Sequence, residues 1–239
     1  MIPDLRERAV DLRELMDDPA ADLRMLERTY RRFQVVNAIV SRPGALYRRH
    51  VRPRAQRGDV RILDIGAGGG DLCRSLAGRL RHDGLRARIM ALDPDERAMH
   101  WARTHDGGVG IEYRCATSTE LAAAGERFDV IVSNHLLHHL SADERATVLN
   151  DSEKLVAPGG VVAHHDIARG RAAYALYAIG TAPLARTLLA DSFIRIDGLL
   201  SIRRSYTARE LREVAPAGWT VRSALPARLE LRFDAPAGR

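Results

Sequence analysis

The sequence predicts a doubly wound α/β fold: a mostly parallel sheet of seven strands whose last strand is antiparallel, preceded by a helical extension. Three observations predict it. From Arg57 onward short apolar runs alternate with helical stretches, the rhythm of a parallel sheet covered on both faces. One such run, Arg61–Ile65, leads straight into a glycine-rich turn and a helix, the arrangement that binds nucleotides at the carboxyl edge of these sheets. The chain then closes on two strands joined by the short turn Leu225-Pro226-Ala227, which suits a hairpin.

In the N-terminal part, Leu5, Ala9, Leu12 and Leu15 or Met16 share one face of a helix expected over Leu5–Met16. Pro19 separates it from a longer helix in which Leu23, Leu26, Tyr30, Phe33, Val36 or Asn37, and Val40 recur at three- and four-residue steps, until Ser41-Arg-Pro-Gly44 stops it. A third short helix is expected over Ala45–Val51, ending before Pro53. The alternating part follows with strand Arg61–Ile65, helix Asp71–Arg81, strand Ala87–Leu92, helix Glu96–His105, strand Ile111–Cys115 and strand Phe128–Ser133. Ser141 opens a helix to Leu155, with Glu144 three residues on completing a capping box, and Ala157–Gly160 turns into strand Val161–His164. Arg169–Ser201 is longer than a plain crossover requires. Thr207 and Glu210 form a second capping box for Ala208–Val214, and strands Trp219–Leu225 and Arg228–Phe233 close the chain. The expected organisation is a helical cap at 1–56 and a nucleotide-binding domain at 57–239 with a lid-like insertion at about 169–205.

A chain of 239 residues can bury a full core. No secretory signal and no apolar run of about 18 residues is visible, so no membrane span is expected. Two cysteines, Cys73 and Cys115, suit a reducing cytoplasm and form no metal-ligand pattern. The net charge is +6, and Lys154 is the only lysine. Nine arginines from Arg28 to Arg57 lie in a stretch without an acid. A nucleic-acid surface is one reading and a solvated or acid-paired helical face the other. Thin aromatic interleaving (Tyr30, Phe33, Tyr47) and the absence of an RNA-binding motif set nucleic acid behind a small molecule.

In the glycine turn, Gly66, Gly68, Gly69 and Gly70 follow the strand acid Asp64. A dinucleotide fingerprint wants glycine where Asp71 stands, and the Gly-Lys-Ser/Thr of a phosphate loop is absent. An acid inside the motif suits a positively charged ligand without phosphate. The segment resembles the first motif of the class I S-adenosylmethionine-dependent methyltransferases, whose fold is Rossmann-like. That resemblance implies S-adenosyl-L-methionine as cofactor, with Asp64 near its methionine ammonium and the backbone of Gly66, Ala67 and Gly68 against it. Asp93, followed by Pro94, ends the second strand, where an acid accepts from ribose hydroxyls; a plain helix cap is the alternative. The adenine side should lie at Thr117 and Ser118, hydroxyls where the family often carries an acid.

The run Ser133-Asn-His-Leu-Leu-His-His-Leu140 leaves strand four beside the expected methionine end, with Asn134 and His135 first. It resembles that of bacterial small-molecule methylases acting on quinols and natural products. His138 also aligns with the catalytic histidine of plant phenol O-methyltransferases. A histidine with a pKa near 6.5 can take the proton of a phenol, so His138 is the first candidate base. His139 is the second and His165 the reserve; helix capping or packing under the lid is the plain alternative. His164 and Asp166 join His165 as a polar cluster that would orient the acceptor. Without an acid trio, no metal is expected. Tyr30, Tyr174 and Tyr177 are expected at the acceptor, within a wall containing Leu176, Ile179, Leu184, Leu188, Leu189 and Phe193, while Arg195, Arg203 and Arg204 are either contacts to an acidic acceptor or surface charges.

The expected activity is O-methylation of a small aromatic acceptor in the cytoplasm. Ring C-methylation, RNA or protein methylation, and metabolite binding without catalysis stand as alternatives. RNA and protein methylation are weakened by the missing Asn/Asp-Pro-Pro-Tyr/Phe motif. Oligomeric state stays open, including a homodimer packed through the N-terminal helices.

Overall fold

The structure is a computed structural model and describes residues 3–238, so Met1, Ile2 and Arg239 lie outside the described residues. Seven strands form one sheet in the order β3-β2-β1-β4-β5-β7-β6. They are β1 (Val60–Ile65), β2 (Ala87–Asp93), β3 (Glu112–Cys115), β4 (Phe128–Asn134), β5 (Val156–Ile167), β6 (Thr220–Ala224) and β7 (Arg228–Asp234). The pairs among β1 to β5 are parallel, and β7 runs antiparallel between β5 and β6, as the sequence predicts. β1 sits centrally because five of its six residues are buried, which a strand covered on both faces requires. Its end and those of β2, β4 and β5 form the edge where ligands bind in such sheets.

Helices α1 (Leu23–Val40), α2 (Pro43–Leu46) and α3 (Arg52–Ala55) precede the sheet, and α4 (Asp71–His82), α5 (Glu96–Thr104), α6 (Ser118–Ala123) and α7 (Ala142–Leu155) alternate with its strands. Two apolar layers flank it. One packs Ile62, Val130 and Val132 against Leu72 and Leu76 of α4 and against Leu46 and Val51. The other packs Leu63, Ile131 and Val162 against Leu149, Leu155 and Leu211. Helices α8 (Arg171–Thr181), α9 (Ile194–Arg204) and α10 (Ala208–Val214) lie between β5 and β6.

The expected helix over Leu5–Met16 does not form; the only helical turn there is a 3-10 turn at Leu15–Asp17. Its backbone finds partners in the body of the fold instead. The N–H groups of Leu15 and Met16 donate to the Asp197 carboxylate at 2.8 and 3.0 Å, and that of Ala9 donates to the Arg203 carbonyl. The Leu5 and Leu12 carbonyls accept from Arg169 and Arg204. Satisfied this way, an extended strap loses nothing by not being helical. The short helix expected to end before Pro53 instead continues through a wide π turn, Tyr47–Val51, into α3. Proline lacks the N–H that an α-helix needs at that point, and a π turn absorbs the mismatch. Helix α6 was not expected, though Thr117 and Glu120 form a reciprocal capping box at its start. No described helix is long and apolar enough to cross a membrane. Cys73 and Cys115 are both free.

Candidate functional site

A cavity of about 630 Å³ opens at the carboxyl edge of the sheet. Its floor is the glycine turn after β1 and the ends of β2 and β4. Its roof is the N-terminal strap with α1, α8 and α9. Of the sequence-predicted residues, Tyr30, Asp64, Gly66, Ala67, Gly68, Asp93, Pro94, Asn134, His135, His138, His139 and Tyr177 line it.

The turn is shaped by left-handed glycines. Gly68 has φ +51°, and a Cβ built there meets nothing within 4 Å, so the backbone faces open space. Its N–H donates to Asp93 Oδ2 at 2.8 Å. Asp93 Oδ1 accepts from the Asp95 N–H at 2.9 Å, and Asp95 rather than Asp93 caps α5. Each Asp93 oxygen thus keeps a lone pair for a further donor. Asp64 is 1 % exposed. Its Oδ2 accepts from the Cys73 thiol at 3.4 Å, while its Oδ1 is buried without a partner. Burial pushes its carboxyl well above the usual range, with Asp71 and Asp93 adding to the rise. An orphaned carboxylate oxygen at a cavity floor calls for a cationic donor, and the amino-acid ammonium of S-adenosylmethionine fits. The chemistry of these residues therefore fits that group: a buried acid at the floor, an acid with free lone pairs at the end of β2, and open backbone at Gly68.

Above this floor His138 is fully buried between two carboxylates. Its Nδ1 donates to Asp166 Oδ1 at 2.7 Å, and its backbone N–H donates to Asp166 Oδ2 at 3.0 Å. Its Nε2 lies 3.2 Å from Glu14 Oε1, close enough for charge pairing but without hydrogen-bond alignment. Burial works against the imidazolium, yet Asp166 and Glu14 outweigh it and raise the His138 pKa to about 9. The same pairing holds Asp166 below the usual carboxylate range, against burial. His139 lies beside His138 with its ring tilted against it, and its Nδ1 is 2.9 Å from Asp17 Oδ2. Arg204 fastens this turn by donating to the carbonyls of His138, His139 and Leu12.

Glu14, Asp17, Arg204 and Arg228 were not singled out as site residues in the sequence; Arg204 was named only as an alternative between acceptor contact and surface charge. Glu14 and Asp17 arrive on the strap, which carries no motif. Arg228 begins β7; it donates to Asn134 Oδ1 at 2.6 Å and to His135 Nε2 at 3.0 Å. That clamp, with burial as the larger cause, keeps the His135 pKa well below its ordinary value.

Other predicted residues lie elsewhere. Thr117 caps α6, and Ser118 is buried against Asp151, donating to it at 2.8 Å. The cluster expected at His164–Asp166 is divided by strand alternation. His164 points into the α7 layer, between Ser133 and Ser152 and against Trp219, and burial pushes its pKa down to about 3. His165 faces the opposite side, toward His50 and Glu230. Asp166 stands behind His138. Tyr174 packs against Ile167 and Ile202 but does not itself line the cavity. Leu176, Ile179, Leu184 and Leu188 are exposed on the outer side, and Leu189 and Phe193 are buried in packing. Arg195 is spent on Ala178 and Thr181, and among the described residues no arginine or lysine lines the cavity.

Residues 62–160 match the family model described as a methyltransferase domain. A curated ubiquinone biosynthesis O-methyltransferase of Parvibaculum lavamentivorans is 36% identical over 166 residues, covering 68% of this chain and 61% of that protein. One of Mesorhizobium japonicum is 37% identical over 140 residues, covering 57% and 53%. The chain thus spans roughly half the length of the curated relatives it matches. Among solved structures, the plantazolicin methyltransferase BpumL in complex with S-adenosylhomocysteine superposes with a TM-score of 0.57 at 13% identity, over 93% of this chain and 92% of that one. The N-methyltransferase NodS of Bradyrhizobium japonicum superposes with a TM-score of 0.51 at 20% identity, over 82% and 95%. These two likenesses show the fold alone. With the glycine turn, the sheet order and the matched domain together, the chain belongs to the class I S-adenosylmethionine-dependent methyltransferases.

Proposed function

We propose that this chain O-methylates a small aromatic acceptor, a phenol or quinol, with S-adenosylmethionine as methyl donor and His138 as the base. The observation that carries the proposal is the buried His138 between Asp166 and Glu14, with its Nε2 not engaged in a hydrogen bond. S-adenosylmethionine supplies an activated methyl carbon on a positive sulfur. The protein's part is to hold the acceptor oxygen in line with that carbon and to take its proton. Asp166 fixes the tautomer of His138 by accepting from Nδ1, so the acceptor hydroxyl would meet Nε2 on the side that Glu14 Oε1 now occupies. A raised value of about 9 lies close to the ordinary phenol value of about 10, so one proton is shared between acceptor and imidazole at little cost. Phe33, Val36, Leu136, Leu140 and Ile167 supply apolar wall for a ring.

The lining charge narrows the acceptor further. Glu14, Asp17, Glu144 and Asp197 lie on the cavity wall with no lysine or arginine among the described residues, although the chain carries +6. Such a wall repels an acidic acceptor and admits a neutral or cationic one. The arginine-rich segment supports a small molecule over RNA, because Arg28 pairs with Asp191 and Arg52 with Asp83. Names of the curated relatives support a quinol-like acceptor but are theirs. Replacing His138 by Ala tests the proposal: turnover of a phenolic acceptor should fall by about 100-fold or more while cofactor affinity holds. Unchanged turnover would remove His138 from the chemistry.

A further inference from the structure

A second histidine–carboxylate group lies outside the cavity. His50 comes from the π turn, His165 from β5 and Glu230 from β7, three segments far apart in sequence. We propose that His50, His165 and Glu230 form a binding site for a zinc-class divalent cation, which fastens the N-terminal helices to the β5–β7 side of the sheet. His50 Nε2 lies 3.3 Å and His165 Nε2 3.1 Å from Glu230 Oε2, and one donor atom from each residue falls within 4.8 Å of the others. A tetrahedral ion with bonds of about 2.0–2.2 Å separates its donors by roughly 3.3 Å, so an ion fits with small side-chain adjustments. Two imidazoles and one carboxylate suit zinc, whereas magnesium and calcium prefer oxygen alone.

A second observation points to a ligand. Glu230 Oε1 is buried and has no hydrogen-bond partner, although Oε2 is shared by both histidines. A bare carboxylate oxygen in the interior is costly, and a cation on the carboxylate relieves it. The competing charges are arginines. Arg228 is turned to Asn134 and His135, and Arg49, 3.5 Å from Glu230, has a side chain 42 % exposed that can withdraw to solvent. Among the described residues the other such group, Glu14–His138–His139, belongs to the cavity already described, where His138 is engaged by Asp166.

The test uses the untagged full chain, stripped with a chelator and titrated with zinc by calorimetry, followed by metal analysis after desalting. The expected result is about one zinc ion per chain, with a higher melting temperature. His50→Ala and Glu230→Gln should each weaken zinc binding by at least about 100-fold, while His138→Ala keeps it. Retained S-adenosylmethionine binding by calorimetry certifies that each variant is folded. No stoichiometric zinc in the wild-type chain overturns the proposal. So does zinc binding that survives in folded His50→Ala and Glu230→Gln, or that disappears in His138→Ala.

Discussion

Replacing Asp166 by Asn removes one charge and almost no volume, at a carboxylate 2.7 Å from His138 Nδ1. In the native chain the His138 pKa rises from 6.5 to about 9, against its own burial. At about 1.36 kcal/mol per pKa unit this is a preference of about 3 kcal/mol for the imidazolium, of which Asp166 supplies a major share. Without that carboxylate, burial is opposed by Glu14 alone, and the value should return to about 6.5 or lower. Two measurements follow. Initial rates of methyl transfer to a phenol should climb toward about pH 9 in the native enzyme, because only about 1 percent of a group with that pKa is neutral at pH 7. In Asp166→Asn the rise should end near pH 6.5, at a plateau lower by about 100-fold or more, since the weaker and unoriented base takes the proton less well. Stability changes too. A folded value above the free one adds stability fully below pH 6.5 and loses it as pH rises through about 9. The native melting temperature should therefore decline across that window, and that of Asp166→Asn should be flatter. If the variant kept a rate limb near pH 9, the titrating group would not be His138 and the dyad would be the wrong description.

Two further substitutions separate the parts of the cavity. Asp93→Ala removes the carboxylate that accepts from Gly68 and Asp95; S-adenosylmethionine affinity by calorimetry should fall by about 10-fold or more, and an unchanged affinity would end the ribose assignment. Glu14→Gln keeps the shape of the strap and the acceptor of Ser201 but removes the second charge on His138. It should shift the rate limb to lower pH by about one unit or less, with cofactor affinity unchanged, and a loss of cofactor affinity instead would place Glu14 at the donor.

Much of the fold was legible because it is written locally. The Arg61–Ile65 run, the glycines after it and the reciprocal caps at Ser141/Glu144 and Thr207/Glu210 each need only neighbours a few residues away. The alternation of Leu229, Leu231 and Phe233 likewise revealed β7. The same kind of signal stood unread at Thr117/Glu120, where α6 begins. The strap was illegible for the opposite reason. Its apolar spacing suits a helix, but the partners of its backbone, Asp197, Arg169 and Arg204, lie far along the chain. Glu14 and Arg228 matter through contacts that only the assembled fold creates. The division of His164 from His165 follows from the two-residue strand period, readable once β5 is known to continue to Ile167.

The central claim is methyl transfer to an aromatic hydroxyl. It is tested most directly by incubating the chain with methyl-labelled S-adenosylmethionine and a matched series of acceptors: neutral and amine-bearing phenols and quinols, their carboxylated counterparts, and RNA. The account predicts label on oxygen in the neutral or amine-bearing phenols and quinols, little in the carboxylated ones, and loss of transfer in His138→Ala. Label on ring carbon, in RNA, or chiefly in the carboxylated acceptors would contradict it.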